Sequence, residues 1–159
     1  MSQNAELTTA VHALCWLELA SRRGQAVLTS AAIASSLASH PVQIRRTLAP
    51  LKRAGLVLIV GRGPGAGWSL GRQAETISLR DVSAALGDQA PFGLHPHQPN
   101  QECPVGAGIR PVLEEIYADV QAAIAQQLQR RTIADVLDTI MSVGSSRSAG
   151  PAAGPTRRV

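Results

Sequence analysis

Three groups of residues have types and spacings with chemical consequences. The first is Gln43, Arg45 and Arg46. They sit among Ile44, Leu48 and Leu51, which recur at helical spacing and mark the inward face of a short helix. Gln43, Arg45 and Arg46 lie off that face and are free to meet base edges and phosphates, which a guanidinium fork matches in pairs of bonds. The alternative is a solvated polar face on a domain used for protein contacts. The second group is Gly61-Arg62-Gly63-Pro64-Gly65-Ala66-Gly67-Trp68. Loops that cradle nucleotide phosphates join a strand to a helix, whereas this one joins two runs that read as strands, and it has no Gly-Lys-Ser/Thr. Its glycines instead permit positive φ in a turn and close approach of backbone to DNA. The third group is His95, His97 and Cys103, metal-capable side chains in one loop; His12 on the first helix is a distant fourth candidate, more simply read as a packed helix histidine. Two cysteines without a CxxC pair are weak support for a metal, and a polar loop with two unrelated histidines is the stronger reading. No cofactor is expected. No Ser/His/Asp, Cys/His or paired-carboxylate set has supporting context, so an enzyme is not expected.

The elements that must position these residues follow from periodicity and caps. Leu7, Val11, Leu14 and Leu17 form a helical stripe, widened by Ala10, Cys15, Trp16 and Leu19. A helix apolar on most faces must be covered on more than one side. Gly24 ends it. Thr29 caps a short second helix carrying Ile33, Ala34 and Leu37. Ser39-His40-Pro41 breaks the chain, Pro41 suits the first position of a third helix, and Gly55 stops it. Pro50 conflicts with that helix and predicts either a kink or a restart. Two short helices around a tight break form a helix-turn-helix pattern. Leu56 to Val60 and Trp68 to Leu70 read as the strands of a hairpin wing. Ser78 to Asp81 is a capping box that opens a helix through Val82, Ala85 and Leu86.

A Pro- and Gly-rich loop is predicted over 89–110. A long helix of roughly 30 Å is predicted from about Pro111, with Leu113, Ile116, Val120, Ile124 and Leu128 inward. Thr132 to Asp135 opens a last helix. From Gly144 the composition reads as a disordered tail. The chain thus divides into a winged helix-turn-helix over 1–88, the loop, dimerisation helices over 111–143 and the tail over 144–159. The fold class is mainly α with a small β-hairpin wing. The long stripe, with Ala118, Ala122, Ala123 and Ala125 allowing close approach, predicts a homodimer reading two half-sites about one DNA turn apart, a helix folded back as an extra intrachain layer over the apolar first helix, or both.

Composition is permissive rather than decisive. Hydrophobic residues make up 45% of the chain and aromatics only 3%, so the core is built from Leu, Ile, Val and Ala, which suits packed helices. A net charge of +4, carried by arginine except at Lys52, permits a nucleic-acid partner without requiring one. No run reaches the ~18 apolar residues of a membrane span, and no secretion signal is visible, so a cytoplasmic protein is the expectation.

The segments Leu48 to Val57, Arg62 to Leu70, Ile77 to Val82, Cys103-Pro-Val-Gly and Thr132 to Val136 together resemble the Rrf-two family of winged-helix transcription regulators, over roughly the first 140 residues. The resemblance implies a homodimer joined by the long helix, with base reading by the third helix and wing contact to the minor groove. It places these contacts on Gln43, Arg45, Arg46 and Arg62, with Thr29 and Gly63 alongside. Relatives with an iron–sulfur cluster carry three cysteines before the dimer helix. This chain has only Cys103 there, which implies the cluster-free branch and leaves Cys103 as a sensor candidate. Ala66 replaces a usual wing glycine. The expected function is a DNA-binding transcription regulator, a homodimeric repressor. The alternative is a metal- or iron–sulfur-binding redox sensor using His95, His97, Cys103 or His12.

Overall fold

The computed structural model describes residues 3–88 and 90–148. Helix α1 (Gln3–Arg22) runs until Gly24 takes a φ of +82°, a value an L side chain rarely adopts. Thr29 then caps α2 (Ser30–Ser36), its Oγ1 accepting the Ala32 N–H at 3.2 Å. His40 caps α3 (Pro41–Arg53), its Nδ1 accepting the Val42 N–H at 3.3 Å, with Pro41 in the first turn where its missing N–H costs nothing. The helix is one element through Pro50 and does not restart there. Pro50 lies in the last turn, so only the Arg46 carbonyl loses its helical partner, and the Ala54 N–H closes the end on the Pro50 carbonyl at 3.1 Å.

Strands β1 (Val57–Val60) and β2 (Gly67–Leu70) pair antiparallel, with Ile59 opposite Trp68 and Val60 opposite Gly67. Leu28 adds a further bridge, exchanging both backbone hydrogen bonds with Trp68 at 3.0 and 2.7 Å. Gly67 is required by this junction, since a Cβ there would lie 2.5 Å from Val27 Cγ1 and 2.7 Å from the Leu28 carbonyl oxygen. The wing is thereby fastened to the segment that leads into α2.

Helix α4 (Leu79–Ala85) starts at the expected capping box, and α6 (Ile133–Ser148) starts at a second one between Thr132 and Asp135. The two helix starts are themselves paired, by Leu79 N–H to the Arg131 carbonyl and Ile133 N–H to the Ile77 carbonyl, both at 2.9 Å. One core results. It joins Leu14 and Leu17 of α1, Ile33 of α2, Ile44, Leu48 and Leu51 of α3, Leu56, Val57, Ile77 and Val82, and Ile133 and Leu137 of α6. Burying each such side chain contributes about 1.5–3 kcal/mol. Helix α1 is apolar nearly all round because α2, α3, α4, α6 and β2 all pack against it.

Helix α5 (Pro104–Gln129) corrects one expectation. It starts at Pro104, not near Pro111, and its 26 residues span about 39 Å. Both prolines suit a first turn, and tertiary geometry decides between them. Asn100 folds the entry, accepting Glu102 N–H on its side chain at 2.9 Å and Cys103 N–H on its carbonyl at 3.3 Å. Gly106 then passes so close that a Cβ would lie 2.2 Å from that carbonyl oxygen.

The predicted inward stripe is also split. Leu113, Val120 and Leu128 are half-buried, but Ile116 and Ile124 are exposed, and no residue of α5 is fully buried. The half-buried side runs through Ile109, Leu113, Tyr117 and Gln121, and α5 packs on α4. The tail expected from Gly144 is contradicted over 144–148, which continue α6; the rest of that expectation, 149–159, lies outside the described residues.

Candidate nucleic-acid interface

Opposite the core face of α3 lies a surface of different composition. Ile44, Thr47, Leu48 and Leu51 are buried, while Val42, Arg45, Arg46, Lys52 and Arg53 are exposed. Between α3 and the wing is an open cleft of about 420 Å³, lined by Thr29, Ser30, Pro41, Arg45, Ile59, Gly63 and Trp68 among others. The Trp68 indole N–H donates to Ser30 Oγ at 2.9 Å, so one wall of the cleft is tied to the start of α2. Beyond β1 the chain turns through Gly61 and Gly63, both at positive φ, which leaves Arg62 exposed at the tip.

The structure thus brings Thr29, Arg45 and Gly63 to one cleft. Arg46 lies on the outward face of α3 beside it, and Arg62 at the wing tip. Gln43 is half-buried at the flank of α3, displaced from the centre of the outward face. Arg45, Arg46, Lys52, Arg53 and Arg62 have no carboxylate partner among the described residues. Four arginines elsewhere do, Arg22 with Glu18 and Asp138, Arg72 with Asp81, Arg80 with Asp88, and Arg110 with Glu114.

The strongest electrostatic signal lies in the distribution of charge, which a net value conceals. Residues 19–74 hold eight of the 15 Lys and Arg and none of the 11 Asp and Glu. This stretch contains α2, α3 and the wing. Arg22 and Arg72 of this stretch pair with carboxylates from outside it, but Arg45, Arg46, Lys52, Arg53 and Arg62 do not among the described residues, so α3 and the wing offer their cationic groups to phosphates unneutralised.

The His/Cys loop is built differently from a metal centre. His95, His97 and Cys103 are all exposed, and Cys103 sits at the N-cap of α5. His12 is on α1, within hydrogen-bond distance of Ser36 Oγ at 3.1 Å. Cys15 is buried against the Ile133 carbonyl, and burial, then the charge of Glu18, pushes its thiol up to about 11. Among the described residues no three His, Cys, Asp or Glu side chains gather as a metal-binding group.

A helix-turn-helix whose outward helix and hairpin wing share one basic face is the fold of a winged-helix transcription regulator. Comparison with known proteins agrees. A family model described as Rrf2, iron-dependent transcriptional regulator, matches residues 3–139. YwnA of Bacillus subtilis, described as an HTH-type transcriptional regulator, is 32% identical over 136 residues, covering 85% of this chain and 96% of YwnA. A solved structure described as a DNA-binding protein is 29% identical, with a TM-score of 0.64 over 83% of this chain and 98% of that one. The fold also matches a transcriptional regulator from Lactobacillus plantarum, with a TM-score of 0.71 at 21% identity, over 91% of this chain and 95% of that one. The chain belongs to the Rrf2 family of transcription regulators.

The iron in the family description finds no matching donor set here. A cluster is held by several thiolates, and this chain has one exposed cysteine and one buried with its thiol protonated. No helix of the described residues is long and apolar enough to cross a membrane.

Proposed function

We propose that this chain is a cytoplasmic homodimeric repressor that binds duplex DNA in a sequence-specific manner. The observation that carries the reading is the cleft between α3 and the wing, lined without a carboxylate and flanked by Arg46 and Arg62, neither of which pairs with a carboxylate among the described residues. An α-helix fits the major groove, and a hairpin tip reaches the adjacent backbone or minor groove. In this reading Arg45 and Arg46 meet base edges or phosphates, Gln43 contacts the groove wall, Thr29 and Gly63 approach the backbone, and Arg62 enters the minor groove.

Pairing of two chains is supported by apolar side chains left in solvent. Val105, Val112 and Ile116 are 69%, 55% and 49% exposed on α5, and Ile140 and Val143 are 54% and 51% exposed on α6. An isologous contact through α5 sets two reading heads about one DNA turn apart. Occupancy of a promoter-overlapping site by such a dimer is sufficient for repression. The test is selection of duplexes from a random library by the purified protein, followed by transcription in vitro from a promoter carrying the recovered sequence. A palindromic recovered site and reduced transcript are expected; no enriched sequence would overturn DNA binding, and increased transcript would overturn repression.

A further inference from the structure

We propose that Val42 reads the 5-methyl group of a thymine, making it a specificity-determining residue at the centre of the reading helix; the inference rests on the DNA-binding reading above. Val42 is 48% exposed on α3, yet it is apolar and β-branched in a helix whose other exposed positions are mostly cationic. At about 100° per residue, the mean direction of the buried Ile44, Thr47, Leu48 and Leu51 points almost directly away from Val42. Val42 therefore stands at the middle of the outward face. Arg45 lies about 60° to one side and Arg46 about 40° to the other.

Charge complementarity names the occupant. The face around Val42 carries Arg45, Arg46 and Arg53 with no carboxylate in residues 19–74, so what approaches it is a polyanion. The apolar feature that duplex DNA offers in the major groove is the thymine methyl, and aliphatic side chains pack against it. Val42 is also in the first turn of α3, and the N-terminal residues of a reading helix are those that reach base edges. Its backbone N–H is already occupied by His40 Nδ1, so the isopropyl group is what the position has to offer a base edge. Arg45 and Arg46 follow at about 4.5 and 6 Å along the axis, one to two base-pair steps away. The half-site thus contains a thymine with a guanine contacted within about two base pairs.

Uracil has the hydrogen-bonding edge of thymine without its methyl. The wild-type protein is used to select duplexes from a random library, and each thymine of the recovered site is then replaced by deoxyuridine. Loss of one buried methyl corresponds to roughly a three- to five-fold weaker Kd at one thymine per half-site. Val42→Ser should bind the thymine and uracil duplexes equally, while its melting curve matches wild type. Indifference of the wild type to every thymine replacement would overturn the inference and leave DNA binding standing. Retention of the full uracil loss by Val42→Ser would assign the methyl to another residue. A wild-type protein that selects no duplex would remove both readings.

Discussion

Among the described residues, Arg45 and Arg46 differ from the paired arginines in having no carboxylate to release before they meet a partner. Truncating either to alanine should weaken specific DNA binding by roughly 1–3 kcal/mol if it holds a guanine, with relaxed discrimination at that base pair, as read by gel-shift titration on matched and mismatched duplexes. The two cysteines give a second prediction at this scale. Cys103 is exposed, and Cys15 is buried with a thiol raised to about 11. A thiol-specific chromogenic reagent at neutral pH should count one cysteine in the native protein and two in denaturant, because the thiolate is the reactive form. Two fast thiols in the native protein would contradict the burial of Cys15. Periodicity alone exposes Arg45 and Arg46, since they fall outside the Ile44/Leu48/Leu51 row. Val42 is hidden from that reasoning because its type assigns it to the core while its position assigns it to the surface. Trp68 to Ser30 is hidden for another reason. The pair is 38 residues apart, and nothing local couples them.

Among the described residues, α5 carries four exposed large apolar side chains, Val105, Val112, Ile116 and Ile124. Ile116→Asp combined with Val112→Asp should convert a dimer to a monomer in light scattering, because two carboxylates would be buried unpaired at the contact. An unchanged dimer mass would place the contact elsewhere. The end of α4 yields a pH prediction. Arg80 bonds the Asp88 carboxylate and holds it below the usual carboxylate range, with Ser83 helping and burial opposing. A folded value lowered in this way adds stability above the unfolded value, and that stability is lost as pH falls toward the folded one. Asp88→Asn should therefore lower Tm slightly at neutral pH and flatten its fall below about pH 4, measured by circular dichroism. Helix starts were legible in the sequence wherever the chemistry is local. Thr29, Ser78 and Thr132 each accept an N–H three residues on. The start of α5 was not legible, because Pro104 and Pro111 satisfy the same first-turn rule. The choice depends on the Asn100 carbonyl pressing against Gly106. The split of the α5 stripe has a similar origin, since which side is covered depends on where α4 lies.

For the whole molecule, net charge conceals what matters. A chain at +4 with the same residues scattered would be an ordinary basic protein. Here the acidic residues fall within 6–18 and 75–138, and the stretch between these segments folds into α2, α3 and the wing. The C-terminal helices return α6 to the core beside α1 and leave α5 projecting from α4. In the proposed reading, DNA is met by α3 and the wing, and a second chain by α5. The salt dependence of DNA affinity is the decisive measurement for a DNA interface on α3 and the wing. The wild type and Arg62→Ala are titrated with a selected duplex over a series of salt concentrations. Each neutralised phosphate adds about −0.9 to the slope of log affinity against log salt. A steep negative slope is expected for the wild type, and one shallower by about 0.9 for Arg62→Ala if that side chain neutralises one phosphate. A wild-type affinity independent of salt, or a slope and affinity unchanged by removing Arg45, Arg46 and Arg62 together, would contradict a DNA interface on this face.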